Sequence, residues 1–307
     1  MPLHRAPVME SFHLVLFGSS LSTKDIETWL ATALSRNLRE LFLINEFVLS
    51  WLPSLKTLEL ILDKYFQGGP LRRLLSICPV LENLLVNCGW DDYDKGLITV
   101  TVPSLQRLTL YLHSETEGML PRGLVIDSPS LKYLKLRDRH QWSRPGFSIE
   151  TMPDLEEAYV NVQYCKTSLS LGLMAPTTSI ERLMRSITSV KRLTICSEMR
   201  YSGGFVFNQL EHLKLCVCAG DSSNLLARLL EDSPNLRVLD IFEILQDHDD
   251  RDYEELITTV RTVRESVLSN LRTFNWSRYF ERRPQEMDLA VYILGEKWSL
   301  KDCNNLV

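Results

Sequence analysis

Apolar and polar positions alternate along this chain in a phrase that keeps returning. PSLKTLEL at residues 53–60 recurs as PSLQRLTL from 103 and as PSLKYLKL from 129, with the leucines held and the letters between them changed. Relaxed to x-x-L-x-x-L-x-L, with other apolar residues allowed, the phrase begins at Arg36, Pro53, Pro79, Pro103, Pro129, Pro153, Thr188, Asn208, Pro234 and Ser269, which makes ten units. Starts from Pro53 to Pro153 are 26, 24, 26 and 24 residues apart, and the later ones 35, 20, 26 and 35.

A period in the twenties with this spacing is the signature of a leucine-rich repeat. In the L-x-L part, alternation by two sends the leucines to one side of a short strand and the residue between them to the other. No single unit buries its leucines alone, so consecutive units stack. The expected fold is therefore α/β, a leucine-rich-repeat solenoid with parallel strands on the concave face and helices or loops on the convex face. Helical spacing supports connecting helices at Ile26, Trp29, Leu30, Ala33 and Leu34 behind a capping box at 22–25, and at Leu71, Leu74 and Leu75. It supports others at Ile180, Leu183, Met184 and Ile187, over Asn224 to Glu231, and from Tyr253 to Leu268. The prolines stand just before the strands, where a missing amide donor is tolerated and a helix is stopped. Residues 91–96, 113–123, 137–146, 201–204 and 246–252 read as loops, none long enough to part independent domains.

Composition narrows the class. The chain is 45% hydrophobic and 24% charged, with a formal net charge of -5, so it has material for a large core and no broad basic footprint for nucleic acid. No apolar run approaches the roughly 20 residues that span a bilayer, and the first ten residues lack a signal peptide's apolar core. The seven cysteines are odd in number and scattered, as expected of buried thiols without a disulfide framework. The expectation is an intracellular protein, nuclear or cytoplasmic, that partners protein rather than membrane or nucleic acid.

The search for chemistry assigns no catalytic, cofactor-binding or metal residue. The acidic run from Asp247 to Glu255 has Arg251 at an alternating position and lacks the turn glycine of a calcium loop, and Lys95 interrupts the run from Asp91 to Gly96. Both read as solvated loops. His212, Cys216 and Cys218 fall short of the four ligands of a closed zinc site, so packing is the plainer role for the cysteines. Phosphate-loop, dinucleotide and nucleophile-elbow motifs are absent from the sequence, and Gly203-Gly204 reads as a turn.

What remains is the free side of the strands. It carries Thr57, Glu59 and Ile61; Asn83, Leu85 and Asn87; Arg107, Thr109 and Tyr111; Tyr133, Lys135 and Arg137; and Glu157, Tyr159 and Asn161. It continues through Arg192, Thr194, His212, Lys214, Asp240 and Asn275. Tyr and Arg are enriched at the energetic anchors of protein interfaces, and ordinary solvated strand residues are the plainer alternative. The candidate protein-binding set is Arg107, Tyr111, Tyr133, Lys135, Arg137, Tyr159, Asn161, Arg192 and Lys214.

With the repeats in place, the chain resembles plant F-box proteins that carry leucine-rich repeats and a C-terminal FBD region, from about Ser11 to Leu300. The resemblance rests on SFHLVLF, DIETWLATALSRNLRELFL, LPSLKTLEL, LRRLLSICPVLENLLVNC and VPSLQRLTLYL, and for the FBD pattern on LSNLRTFNWSRY (268–279) and EMDLAVYILGEKWSLK (286–301). It implies a repeat region over 1–264 and an FBD-like region over 265–307, in which Leu271, Phe274 and Trp276 close the end of the stack. It also implies a non-enzymatic role in selecting substrates for an SCF ubiquitin ligase. Family members dock on the SCF adaptor through an N-terminal F-box. This sequence opens on MPLHRAPVMESFHL, which resembles the segment just after that module, and it ends on DCNNLV, a shortened FBD end. No adaptor-docking residue is therefore assigned, and the protein target is unidentified.

Two other readings compete. A small-molecule or anionic-ligand receptor would use the solenoid hollow, with Arg107, Lys135, Arg137, Arg192 and Lys214 as its basic constellation. A truncated, non-functional product would fail to purify as a cooperatively unfolding monomer.

Overall fold

The computed structural model describes residues 9–14, 28–29, 31–33, 35–44, 52–62, 68–90, 97–114, 123–138, 148–150, 152–162, 177–197, 201, 203–216, 222–242, 261, 263, 268–277 and 292–293. They fall into two compact units: Met1–Leu155 with Cys165–Ile187, and Glu156–Tyr164 with Thr188–Val307. Unit one contains β1 (Ser11–Leu14), β2 (Glu40–Ile44), β3 (Thr57–Leu62), β4 (Asn83–Trp90), β5 (Leu97–Thr101), β6 (Arg107–Ser114), β7 (Gly123–Asp127), β8 (Tyr133–Asp138) and β9 (Ser148–Ile149). Its helices are α1 (Gly68–Ser76) and α2 (Thr177–Ser186). Unit two contains β10 (Glu157–Val162), β11 (Arg192–Ser197), β12 (His212–Cys216), α3 (Ser222–Glu231), β13 (Val238–Phe242) and β14 (Thr273–Ser277).

Every one of the ten leucine phrases ends in a parallel strand. In unit one the order is β1-β2-β3-β4-β6-β8, and in unit two β10-β11-β12-β13-β14. Pairing keeps equivalent phrase positions opposite each other: Leu58 faces Leu84, Leu84 faces Leu108, and Leu108 faces Leu134. The same holds for Leu193, Leu213 and Leu239. These leucines are buried, and so are the first leucines of the phrases, among them Leu55, Leu81, Leu105, Leu131, Leu210 and Leu236. Each such burial stabilises by about 1.5–3 kcal/mol, repeated along the stack.

The prolines do more than stop helices. A backbone bond closes a tight turn at each phrase start that carries proline, Leu52 to Leu55, Val102 to Leu105, Met152 to Leu155 and Ser233 to Leu236 among them, with the proline as its second residue. That position fits the fixed φ of proline. The next residue clasps the preceding repeat. Ser54 Oγ donates to the Leu38 carbonyl, Ser104 Oγ to Leu81, Asn235 Nδ2 to Asn208 and Asn270 Nδ2 to Pro234.

Three of the connecting segments of unit one differ from the expected helices and loops. β5, β7 and β9 pair in parallel as a second, three-stranded sheet that buries Ile98, Val100, Leu124, Ile126 and Ile149. The β-branched runs LITVT and LVID suit a strand better than a helix. α1 adjoins β5 and α2 adjoins β9, where Ser186 Oγ donates to the Ile149 carbonyl. These helices form as the spacing predicts, with Leu71, Leu75, Leu183, Met184 and Ile187 buried. β1 is an eleventh repeat-type strand ahead of the first phrase, in register with β2.

Other expectations are modified. In the segment expected to be helical, residues 28–29 and 31–33 are helical, yet Trp29 is 44% exposed while Ala33 is buried, so the expected apolar stripe is only partly packed. Gly203 and Gly204 both have positive φ, +83° and +98°. The Gly204 amide and the Tyr201 hydroxyl donate to the Asp232 carboxylate at the end of α3. Burial, and then Asp232, hold the Tyr201 hydroxyl well above its ordinary ionisation range. Cys78, Cys88 and Cys196 are buried thiols as expected, whereas Cys216 is disulfide-bonded. Phe274 and Trp276 face Leu239 and Ile241 across the β13–β14 pair and meet edge to face at 6.0 Å. Of the helix expected from Tyr253 to Leu268, Arg261, Val263 and Leu268 are described, and Arg261 stands in a turn and the buried Val263 at a bend rather than in a helix; the acidic runs and Cys218 lie outside the described residues, as does most of 265–307.

Candidate protein-binding face

Alternation along each strand leaves every second side chain on the side away from the leucines. In unit one the register brings Asn83 opposite Arg107 and Arg107 opposite Tyr133; two steps on, Leu85 faces Thr109 and Thr109 faces Lys135; two steps further, Asn87 faces Tyr111 and Tyr111 faces Arg137. Neighbouring strands stand about 4.8 Å apart and alternate positions about 6.6 Å apart, so these nine side chains form a compact lattice. At its edge, Asn83 Nδ2 donates to Thr57 Oγ1 over 3.2 Å.

Two cation–aromatic contacts organise this lattice. The guanidinium carbon of Arg107 lies 4.4 Å from the Tyr133 ring centre, and Lys135 Nζ lies 5.3 Å from that of Tyr111. Such contacts are worth about 0.5–1 kcal/mol at exposed sites and restrict long side chains to few rotamers. Arg137 is part-buried, and its Nε is shielded from solvent without a hydrogen-bond partner. Five predicted residues, Arg107, Tyr111, Tyr133, Lys135 and Arg137, thus stand together on β6 and β8.

Unit two carries the other four, with a different electrostatic character. Arg192 donates from Nε and Nη2 to Glu157 Oε2, at 3.1 and 2.9 Å. Lys214 Nζ lies 5.0 Å from the Phe242 ring centre and is in register with Asp240. His212 Nε2 and Asp240 Oδ2 are 2.6 Å apart, and Asn275 Nδ2 donates to Asp240 Oδ1 at 2.6 Å. His212 is thereby engaged with a carboxylate, and the arrangement is a hydrogen-bonded row across β12, β13 and β14. Tyr159 is part-buried, while Asn161 is only 7% exposed and donates to the Tyr159 hydroxyl at the long limit of 3.5 Å.

Sequence reasoning missed Phe242, and on β1 and β2 the in-register rings of His13 and Phe42, 5.5 Å apart. Phe242 stands four positions after Val238 on β13, so extending the phrase by one alternating step would have found it. Among the described residues, no group of three or more His, Cys, Asp or Glu is placed to hold a metal ion, and no helix is long and apolar enough to cross a membrane.

Comparison with known proteins matches residues 260–296 to the FBD family. Two FBD-associated F-box proteins of Arabidopsis thaliana are each 42% identical to this chain over 98% of its length, covering 76% and 75% of their own. An F-box/FBD/LRR-repeat protein of the same plant is 35% identical over 97% of this chain and 74% of its own length.

Proposed function

This chain belongs to the plant F-box/FBD/LRR-repeat family, and from that premise we propose that it is a non-enzymatic recognition module that selects a protein substrate for an SCF ubiquitin ligase. The observation that carries the reading is the division of labour within each phrase. Buried leucines hold the strands in register, and the intervening positions present changeable side chains on a lattice of fixed spacing. Aromatic and arginine side chains dominate the binding energy of protein interfaces, and β6 and β8 cluster both. Cation–aromatic contacts restrain those side chains before a partner arrives, which lowers the entropy lost on binding. The mechanism is presentation of a rigid surface, in the nucleus or cytoplasm, and the chemistry of ubiquitin transfer belongs to other subunits.

The test is affinity purification from Arabidopsis extract of the 307-residue chain, alone and with a family F-box fused ahead of Pro2. SCF subunits and companion proteins are quantified against an unrelated repeat protein. The fusion should recover SCF subunits, and both baits should recover the same companion. If neither bait recovers a companion above the control, the recognition reading fails.

A further inference from the structure

Carboxylates on the free face differ in the company they keep. In unit two, Glu157 accepts from Arg192, and Asp240 accepts from Asn275 and is engaged with His212. In unit one, Glu59 on β3 is half-buried, and among the described residues no hydrogen bond or ion pair reaches its carboxylate. The register sets Phe42 of β2 on one side of it and Leu85 of β4 on the other, and Ile61 follows two residues along β3. All three are half-buried on the side of the sheet away from the leucines.

The other adjoining positions with described side chains hold Glu40, Thr57, Asn83 and Asn87, none of them a cation. Arg39 and Lys56 precede β2 and β3 and form no ion pair with Glu59; Lys56 meets Glu82 at 2.6 Å. Arg107 is two strands away and lies over Tyr133, and the His13 ring adjoins that of Phe42.

A carboxylate so placed loses hydration to its apolar neighbours and gains no partner in exchange, so an arriving cation meets a group already partly stripped of water. Once a pair forms, the same neighbours keep water from it, which makes it stronger than a fully exposed ion pair. Glu40, one strand over and opposite Thr57, adds negative potential. The strand also sets a spacing. Glu59 and Ile61 stand about 6.6 Å apart along β3, and an extended peptide places every second side chain at that same interval.

Resting on the recognition reading above, we propose that the free face of β2, β3 and β4 binds an extended segment of a protein partner in which an arginine meets Glu59 and an apolar side chain two residues away packs on Ile61, with Phe42 and Leu85 flanking the ion pair. Arginine fits this place better than lysine, because its planar fork spans both carboxylate oxygens and its face stacks on an aromatic ring.

The experiment uses the full 307-residue chain and fluorescein-labelled twelve-residue Ser/Thr/Gly peptides, read by anisotropy at low salt. The first peptide has arginine at position 6 and leucine at positions 4 and 8, so that a leucine reaches Ile61 in either chain direction. The second replaces arginine with uncharged citrulline, and the third replaces both leucines with serine. The first should bind about tenfold or more tightly than either of the others, as expected for a desolvated charge pair with apolar flanks. E59Q should remove the preference for arginine over citrulline, and I61S the preference for leucine over serine, while E211Q on an exposed position of unit two keeps both. E59R should reverse the first preference, favouring a peptide with glutamate at position 6, which shows that the variant face is still folded. Equal binding of the arginine and citrulline peptides, binding of none, or equal loss in E211Q overturns the proposal. Displacement by arginine amide at the peptide's own concentration also overturns it, since the apolar flanks would then add nothing. A companion from plant extract that survives E59Q and I61S but is lost on substitution of Arg107 and Tyr133 would leave the recognition reading standing while this inference falls.

Discussion

The guanidinium carbon of Arg107 stands 4.4 Å from the centre of the Tyr133 ring, so an exposed cation on β6 is positioned by an aromatic residue of the next repeat. Tyr133→Ala removes that support without opening the core, because the ring is on the free face. Stability in a urea titration should change by no more than about 1 kcal/mol. Recovery of the companion protein should fall about tenfold or more, as expected for an interface anchor.

The neighbouring position makes the opposite prediction. Leu134 is fully buried and in register with Leu108, whereas Lys132, two residues earlier in the same phrase, is exposed. Leu134→Ala should destabilise by about 2–5 kcal/mol through lost transfer energy and a residual cavity. Lys132→Ala should stay within about 0.5 kcal/mol. Equal effects in denaturant unfolding would contradict the assignment of leucines as scaffold.

The turn between repeats separates two local contributions. Ser104→Ala deletes the bond from Ser104 Oγ to the Leu81 carbonyl and should cost about 0.5–1.5 kcal/mol. Pro103→Ala keeps every hydrogen bond but frees the unfolded chain, for a cost of about 0.4–1 kcal/mol. Both are read from the unfolding midpoint at constant denaturant slope.

Alkaline pH tests a buried thiol. Burial pushes the Cys78 thiol from its ordinary 9.0 up to about 12. The native state therefore holds this proton more tightly than the unfolded chain does. The associated stability is complete below about pH 9 and is lost as pH rises towards 12, at up to about 1.4 kcal/mol per pH unit. Tyr201, raised in the same sense, acts above its ordinary 10.0. Cys78→Ala should flatten the limb between pH 9 and 10, and unfolding followed across that range checks it.

The fold was legible wherever one phrase encodes one strand. Leu58, Leu84, Leu108 and Leu134 hold equivalent phrase positions, and they stand in register. The back of unit one was harder to read, because runs such as LITVT are short and lie outside the phrase, so only the β-branched content of Ile98, Thr99 and Val100 marks β5 as a strand. The Tyr201–Asp232 bond joins residues 31 apart whose meeting depends on where α3 ends, and no periodicity reports that. For the binding face, phrase alignment placed Arg107 beside Tyr133 and Arg192 beside Glu157. It did not report that the second pair closes into an ion pair while the first meets a ring, because that choice is made by side-chain rotamers.

The most direct test of the account compares two variants of the full chain in affinity purification from Arabidopsis extract. One carries R107Q, Y111A, Y133A and K135Q on the free face; the other carries R72Q and R73Q on exposed positions of α1. Both should unfold at the parent's midpoint within about 1 kcal/mol. The account predicts that the companion protein is lost from the first variant and retained by the second. Retention by the free-face variant, with the fold intact, would contradict it.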